Sequence, residues 1–410
     1  MLYITVSVFV IVLAIALLSW AVFVGRQQQE LQQDAANLGY FGGAPEGTRG
    51  VRGVFDGIFN NEPESAASQP DPEPILQQLY NLPTSGYVKK RANAIRFVDR
   101  ATGHVFEKEL SDGTTTRVDQ TTIPQVYNAV FTNDGDGVVR QYVGDRGDII
   151  STYSILTNKE IPGISLPVNI LEIKTSRNED RMSVLYRTQE GSSVSILNGK
   201  GEVEKAIFDS NLRGWALDWK GEDLLITQKP SGSLPGSSYL FDIVSGARMT
   251  ALQQVPGLET KLSPDGQFVL YSKIEQTGTP VLFSKNVTTG LDIPLNIAGF
   301  ASKCAWLPTS SEAYCALPAE FQQAQYPDAW YQGDIHFRDS LWKANVATGL
   351  VEHVFSPAVS NGVSLDMIDL TVSADGGTLF FINNTDQTLW SVTFPEREAD
   401  ESPAANEAVE

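Results

Sequence analysis

The sequence predicts an all-β fold of seven similar units behind an apolar N-terminal segment, and three observations carry that prediction. Between about 84 and 395, short runs of Val, Ile, Leu, Phe, Tyr and Trp alternate with turns of Gly, Asp, Asn, Ser and Thr, with no sustained helical period. Turns centred on Asp134, Asn178, Gly221, Asp265 and Ser310 recur at spacings of 44, 43, 44 and 45 residues. Asp375 follows after 65, one period plus an insertion of about 20 residues. A second marker keeps the same phase: Leu240-Phe241, Leu282-Phe283, Leu341-Trp342 and Leu389-Trp390, three of them followed by FDIVSG, KNVTTG and KANVATG turns.

A repeat of this length has room for four short strands, a to d, and stacking such sheets around an axis buries both faces of each; that is the blade of a β-propeller. Dividing the repeat region by its period gives roughly seven blades. The first is expected from NAIRFVDR, HVFEKEL and TTTRVDQ, and the last from SLDMIDLTVS, TLFFINN and QTLWSVTF. The alternative is six blades, with N- and C-terminal strands sharing a closing blade so that no edge is left open.

Four segments are expected in order: an anchor over 1–25, a stalk over 26–83, the propeller over 84–395 and a tail over 396–410. Leu2 to Gly25 carries no charge, and as a helix would span roughly 36 Å, enough for a single membrane crossing. A cleaved signal peptide would want a small-x-small site, which Val22-Phe23-Val24 does not offer. The stalk is rich in Gln, Ala, Gly, Pro, Asn, Ser and Asp and reads as disordered, with Leu76 to Leu82 packing onto the folded domain as its first element. The tail holds six acidic residues and one Arg, the composition of a solvated end.

Charge and composition narrow the function classes. The 410 residues carry 30 Lys plus Arg against 49 Asp plus Glu, a net charge of -19, which argues against nucleic acid as a partner. Two Cys and three scattered His leave no metal cage and no disulfide-dense scaffold, so no cofactor is expected.

The stretch LSPDGQFVLYSK at 262–273 resembles the WD40-like, TolB-type propeller repeat. Longer strings, VDRATGHVFE, KCAWLPTSSEAYCALP and YPDAWYQGDIHFRDSLWKANVATG, resemble those of uncharacterised single-pass membrane-anchored propeller proteins of candidate-phyla bacteria. The resemblance implies an anchor, a stalk and a propeller facing out of the cell. It implies no activity.

Cys304 and Cys315 flank the tight turn at Thr309-Ser310. A hairpin centred there sets 308 opposite 311, 306 opposite 313 and 304 opposite 315, close to disulfide geometry, with a pair of buried thiols as the alternative. A disulfide requires an oxidising compartment and outweighs Arg26, whose position after the apolar segment weakly favours a cytoplasmic C-terminus. The propeller is therefore expected on the extracytoplasmic side of the cytoplasmic membrane.

In a propeller the b–c and d–a loops share one face. The two longest b–c connections, 229–238 and the insertion at about 319–338, therefore emerge together. The second carries Phe321, Tyr326, Trp330, Tyr331 and Phe337, and with Lys229 from the first, the residues Tyr326, Trp330, Tyr331 and Phe337 form the candidate binding site. The competing reading is that these rings pack the insertion over the blade or plug the channel.

Other motifs weigh less. Thr132 to Val143 begins like a calcium loop but ends in Val rather than Glu. SADGGTLF at 373–380 departs from the sialidase Asp-box at Leu379 and Phe380, and Arg146-Gly147-Asp148 is ordinary loop composition. No GxSxG elbow occurs, and His104, His336 and His353 are far apart. The chain is thus read as non-enzymatic, a tethered propeller binding a protein, peptide or glycan. The alternatives are a glycan-processing hydrolase with channel carboxylates, and a structural envelope component. An exposed aromatic patch around Trp330 would mark binding; two facing channel carboxylates with raised pKa values would mark the hydrolase.

Overall fold

The computed structural model describes residues 73–157, 163–176 and 180–395. The anchor, nearly all of the stalk, the tail and the turn at Asn178 lie outside the described residues. Among those described, no helix is long and apolar enough to cross a membrane.

Seven four-stranded antiparallel sheets follow one another along the chain. Their innermost strands, from blade 1 to blade 7, are Thr84–Arg91, Asn128–Phe131, Ile170–Thr175, Trp215–Lys220, Glu259–Leu262, Cys304–Trp306 and Met367–Val372. The turns at Asp134, Gly221, Asp265, Ser310 and Asp375 all join strands a and b, and the four Leu-aromatic pairs all lie on strands c. The first phased series is therefore one set of turns and the second one set of strands.

The closing blade corrects the expected boundary. Its fourth strand is Ile75–Tyr80, which pairs antiparallel with Leu389–Thr393 in the register Ile75↔Thr393 to Tyr80↔Leu389. The folded unit thus begins before residue 84: the element expected at Leu76 to Leu82, at the end of the segment assigned to the stalk, is this strand, and it covers the open edge of the last C-terminal strand. Leu79 is buried with Ile95, Phe97, Phe380, Ile382 and Leu389, joining blade 7 to blade 1. Sharing of the closing blade, expected only with six blades, occurs here with seven.

Local chemistry explains the recurring turns. In three a–b turns a hydroxyl donates to an Asp two residues on and accepts an N–H from five residues on: Thr132 with Asp134 and Gly137, Ser263 with Asp265 and Phe268, Ser373 with Asp375 and Thr378. The c–d turns FDIVSG, KNVTTG and KANVATG are held by Asp242, Asn286 and Asn345, whose side chains accept N–H groups two or three residues on. Neighbouring blades are stitched at the same period. Glu172 accepts the N–H of Leu217, Asp218 that of Leu262 and Glu259 that of Ser302, always from the inner edge of the following blade. Blades 1 and 2 approach so closely that a Cβ on Gly86 would sit 1.9 Å from the carbonyl oxygen of Ala129.

Cys304 and Cys315 face each other across strands a and b of blade 6, and their sulfur atoms are bonded. The Leu307 N–H to Glu312 carbonyl bond fixes the alternation so that 304 and 315 form a non-hydrogen-bonded pair, where side chains come closest.

Candidate functional site

The insertion after the strand Glu312–Pro318 folds over the b–c face around a short helix, Asp328–Tyr331. Its rings close on a wall of the propeller. Trp330 stacks on Phe300 at 5.2 Å with 14° between planes, and Tyr326, Ile335 and Phe337 complete the cluster. Tyr326, Trp330 and Phe337 are buried, so the exposed aromatic patch expected around Trp330 is not formed by them: burying three large rings together removes more apolar area from water than displaying them. Tyr331 is the member left at the surface, 55% exposed. Lys229 is exposed at the start of the other long loop, its N–H bonded to the Gly214 carbonyl.

The two long loops do meet. The Gly232 N–H donates to Asp328 Oδ2 at 2.6 Å, and Gln325 Nε2 donates to Ser233 Oγ at 2.6 Å. A Cβ on Gly232 would stand 2.4 Å from the Tyr326 carbonyl oxygen, so the contact requires glycine.

Beneath the aromatic cluster lies a charged group that sequence reasoning missed. Lys303, Asp339 and Asp366 are fully buried, with Lys303 Nζ 2.5 Å from Asp366 Oδ1 and 2.8 Å from Asp339 Oδ2. The ammonium also lies 4.8 Å from the centroid of Trp330. Asp366 Oδ2 accepts from Trp330 Nε1 at 3.1 Å and Asn384 Nδ2 at 3.0 Å, and His336 Nδ1 stands 3.5 Å away. Burial works to raise Asp366, but Lys303, Asn384 and Trp330 hold it below the usual carboxylate value. Asp339 accepts from Lys303 and from the Met367 N–H on Oδ2, and its Oδ1 has no hydrogen-bond partner among the described residues. Burial, with Asp366 beside it, pushes its carboxyl up to about 6. A lysine closing the apolar run before CAW, and an Asp opening a strand, were the only signals in sequence, and neither has diagnostic spacing.

Along the central channel, a carboxylate is followed two residues later by a lysine on three consecutive inner strands: Glu172 and Lys174, Asp218 and Lys220, Glu259 and Lys261. The first two pairs close internally at 3.4 and 3.3 Å. The third does not. Glu259 is buried, bonded by the Ser302 hydroxyl at 2.5 Å and by the Tyr331 hydroxyl at 3.1 Å, and burial raises its pKa against those two donors. Both carboxyls with raised pKa in this part of the fold, Glu259 and Asp339, are buried and engaged, not facing each other across open channel. A cavity of about 480 Å³ occupies the a–b end of the channel, with Lys174, Lys220, Lys261, Asp218 and Asp369 in its lining. Among the described residues, no group of three or more His, Cys, Asp or Glu side chains is placed to hold a metal ion.

No family model matches the sequence, and no curated protein matches it. Solved structures do. The chain is similar to an oligogalacturonate lyase in complex with manganese, with TM-score 0.54 and 10% identity over 78% of this chain and 93% of that one. It is similar to the β-propeller domain of the trilobed protease from Pyrococcus furiosus, described as having an open velcro topology, with TM-score 0.53 and 10% identity over 81% of this chain and 100% of that one. A third is the Pyrococcus horikoshii acylaminoacyl peptidase, with TM-score 0.51, 12% identity and 73% of this chain covered. This chain spans about half (48%) of that peptidase's length. Identities this low show the propeller fold alone.

Proposed function

We propose that this chain is a non-enzymatic, membrane-tethered propeller that presents its b–c and d–a loop face to a protein partner outside the cytoplasm. One observation carries the reading: the exposed apolar residues Leu82, Val168, Leu212, Leu234, Tyr331 and Val359 all stand on loops of that face, contributed around the ring. Apolar side chains exposed on loops above a rigid scaffold are what a protein interface uses. Ile75, Val203, Val244, Met249, Leu291 and Leu350, also exposed, sit at the opposite, c–d end of the outer strands, away from the channel mouth where the long loops meet. Buried aromatic packing in the insertion supports the same role, because it fixes Tyr331 on a rigid base at low entropic cost.

The uncharged segment at 2–25 supports the tether, the bonded cysteines support an oxidising compartment, and the TolB-type resemblance fits an envelope protein. The test is site-specific photo-crosslinking in native membranes, with the photoreactive residue placed at 331 or 212 and, as controls, at 291 or 244. Adducts from the first pair alone are expected; adducts from the rim positions alone, or from none, overturn the reading. Peptide mapping of Cys304 and Cys315 with thiols blocked before lysis tests the compartment, and two free thiols would reverse it.

A further inference from the structure

The inner strands repeat a carboxylate and a lysine two residues apart, and in blades 3 and 4 each lysine is neutralised by its own strand's carboxylate while that carboxylate also holds the next blade. Blade 5 breaks this arrangement. Glu259 is taken by Ser302 and by Tyr331 of the insertion, and Lys261 is left with no hydrogen bond or ion pair among the described residues.

Across the channel, blade 7 departs from regular pairing in a complementary way. The register of its inner strand jumps between Ile368 and Thr371, and within that bulge Asp369 takes φ 51°, a left-handed conformation uncommon for a side chain other than Gly, Asn or Asp. The bulge is pinned from blade 1, where the Tyr87 hydroxyl reaches the Asp369 carbonyl and, at 2.9 Å, that of Phe380. The Asp369 carboxylate itself is exposed and makes no hydrogen bond or ion pair within 4.0 Å among the described residues. Lys261 and Asp369 line the same cavity of about 480 Å³, within the size range of small-molecule sites. Two opposite charges, neither in a hydrogen bond or close ion pair among the described residues and reached only at longer range by Asp218 and by each other, suit a ligand carrying both.

We propose that this end of the channel binds a small zwitterion of the amino-acid class, its carboxylate on Lys261 and its ammonium on Asp369. The apolar lining from Val88, Val130 and Trp219 leaves room for a side chain. The other charges facing the cavity, Lys174, Lys220 and Asp218, are occupied with Glu172 or with each other and set the background field rather than the contacts.

Titration calorimetry of the full chain in detergent, against each of the twenty common α-amino acids at millimolar concentration, tests this. Saturable binding of at least one is expected, lost for its N-acetyl and its C-amide derivative alike. Asp369→Asn and Lys261→Met should each weaken it by about tenfold or more, the worth of a charge-assisted hydrogen bond. Lys261→Gln stands in should the Met variant fail to fold. No saturable binding by any of them overturns the proposal. So does binding that survives N-acetylation, which would mark a plain anion site, or binding unchanged in both variants.

Discussion

The hydroxyl of Tyr331 donates to Glu259 at 3.1 Å, tying the insertion of blade 6 to the inner strand of blade 5. The same contact withholds Glu259 from Lys261, the lysine that the pattern of blades 3 and 4 would pair with it. Burial in the channel, helped by Lys220 and Lys174 and opposed by Asp218 and Asp369, lowers Lys261 to about 8.

A lysine near 8 is about half neutral at that pH, whereas an ordinary one is almost wholly charged. Lys261 should therefore acylate several-fold faster than Lys174, which Glu172 and Asp218 hold above the ordinary value despite burial. Tyr331→Phe frees Glu259 to meet Lys261 and should slow it toward the other lysines. Peptide mass spectrometry after brief treatment with an acetylating ester at pH 8 reads both rates; an unchanged Lys261 rate would show that Glu259 does not decide its charge.

The buried Lys303 group makes a prediction in pH. The Asp339 carboxyl has a folded value of about 6 against an ordinary 3.8, so it favours the folded state at acid pH. That contribution is complete below 3.8 and disappears as the pH rises through about 6. Asp339→Asn, which leaves Lys303 with Asp366 alone, should match or exceed the wild type at pH 7 and show a flatter stability profile across that window. Lys303→Met strands two buried carboxylates and should cost about 3–5 kcal/mol. Thermal melts from pH 4 to 8 separate the two.

What the sequence disclosed and what it hid follow from how far each interaction reaches along the chain. The turns at Asp134, Asp265 and Asp375 are built from residues within five of one another, so their chemistry repeats in the sequence as it does in space. The facing of Cys304 and Cys315 follows from a single hairpin and was equally legible. That the stretch from Leu76 packs onto the folded domain was legible too, but its place as the closing strand of a seventh blade was not, because its partner strand lies more than 300 residues away. Lys303 meets Asp339 after two connections and Asp366 after four have folded back, and no local pattern announces that meeting. The aromatic residues of the insertion were located correctly, but whether a ring points outward or inward depends on Phe300, which belongs to another loop.

The closing strand should behave as core and not as linker. Leu79 is 3% exposed among residues of blades 1 and 7. Leu79→Ala should cost about 2–5 kcal/mol, as for other buried leucines, and lower the melting temperature by several degrees. Leu82→Ala, three residues on and exposed, should change little. Equal and small effects at both positions would mean that the propeller is stable without this strand.

The junction of the two long loops rests on one glycine. Gly232→Ala places a methyl group against the Tyr326 carbonyl and must move the loop, which also breaks the N–H bond to Asp328. Overpacking of this kind costs about 1–3 kcal/mol, and the lost charge-assisted bond adds to it. The blades themselves are untouched, so the consequence should be local: the insertion between 319 and 338 should be cut by protease faster, while the melting temperature falls only slightly. Asp328→Asn keeps the backbone in place and weakens the same bond without the steric conflict, and its insertion should be cut at an intermediate rate. If both variants match the wild type under protease, the insertion is held by the packing of Phe300, Trp330 and Phe337 alone, and the contact with the neighbouring loop is incidental.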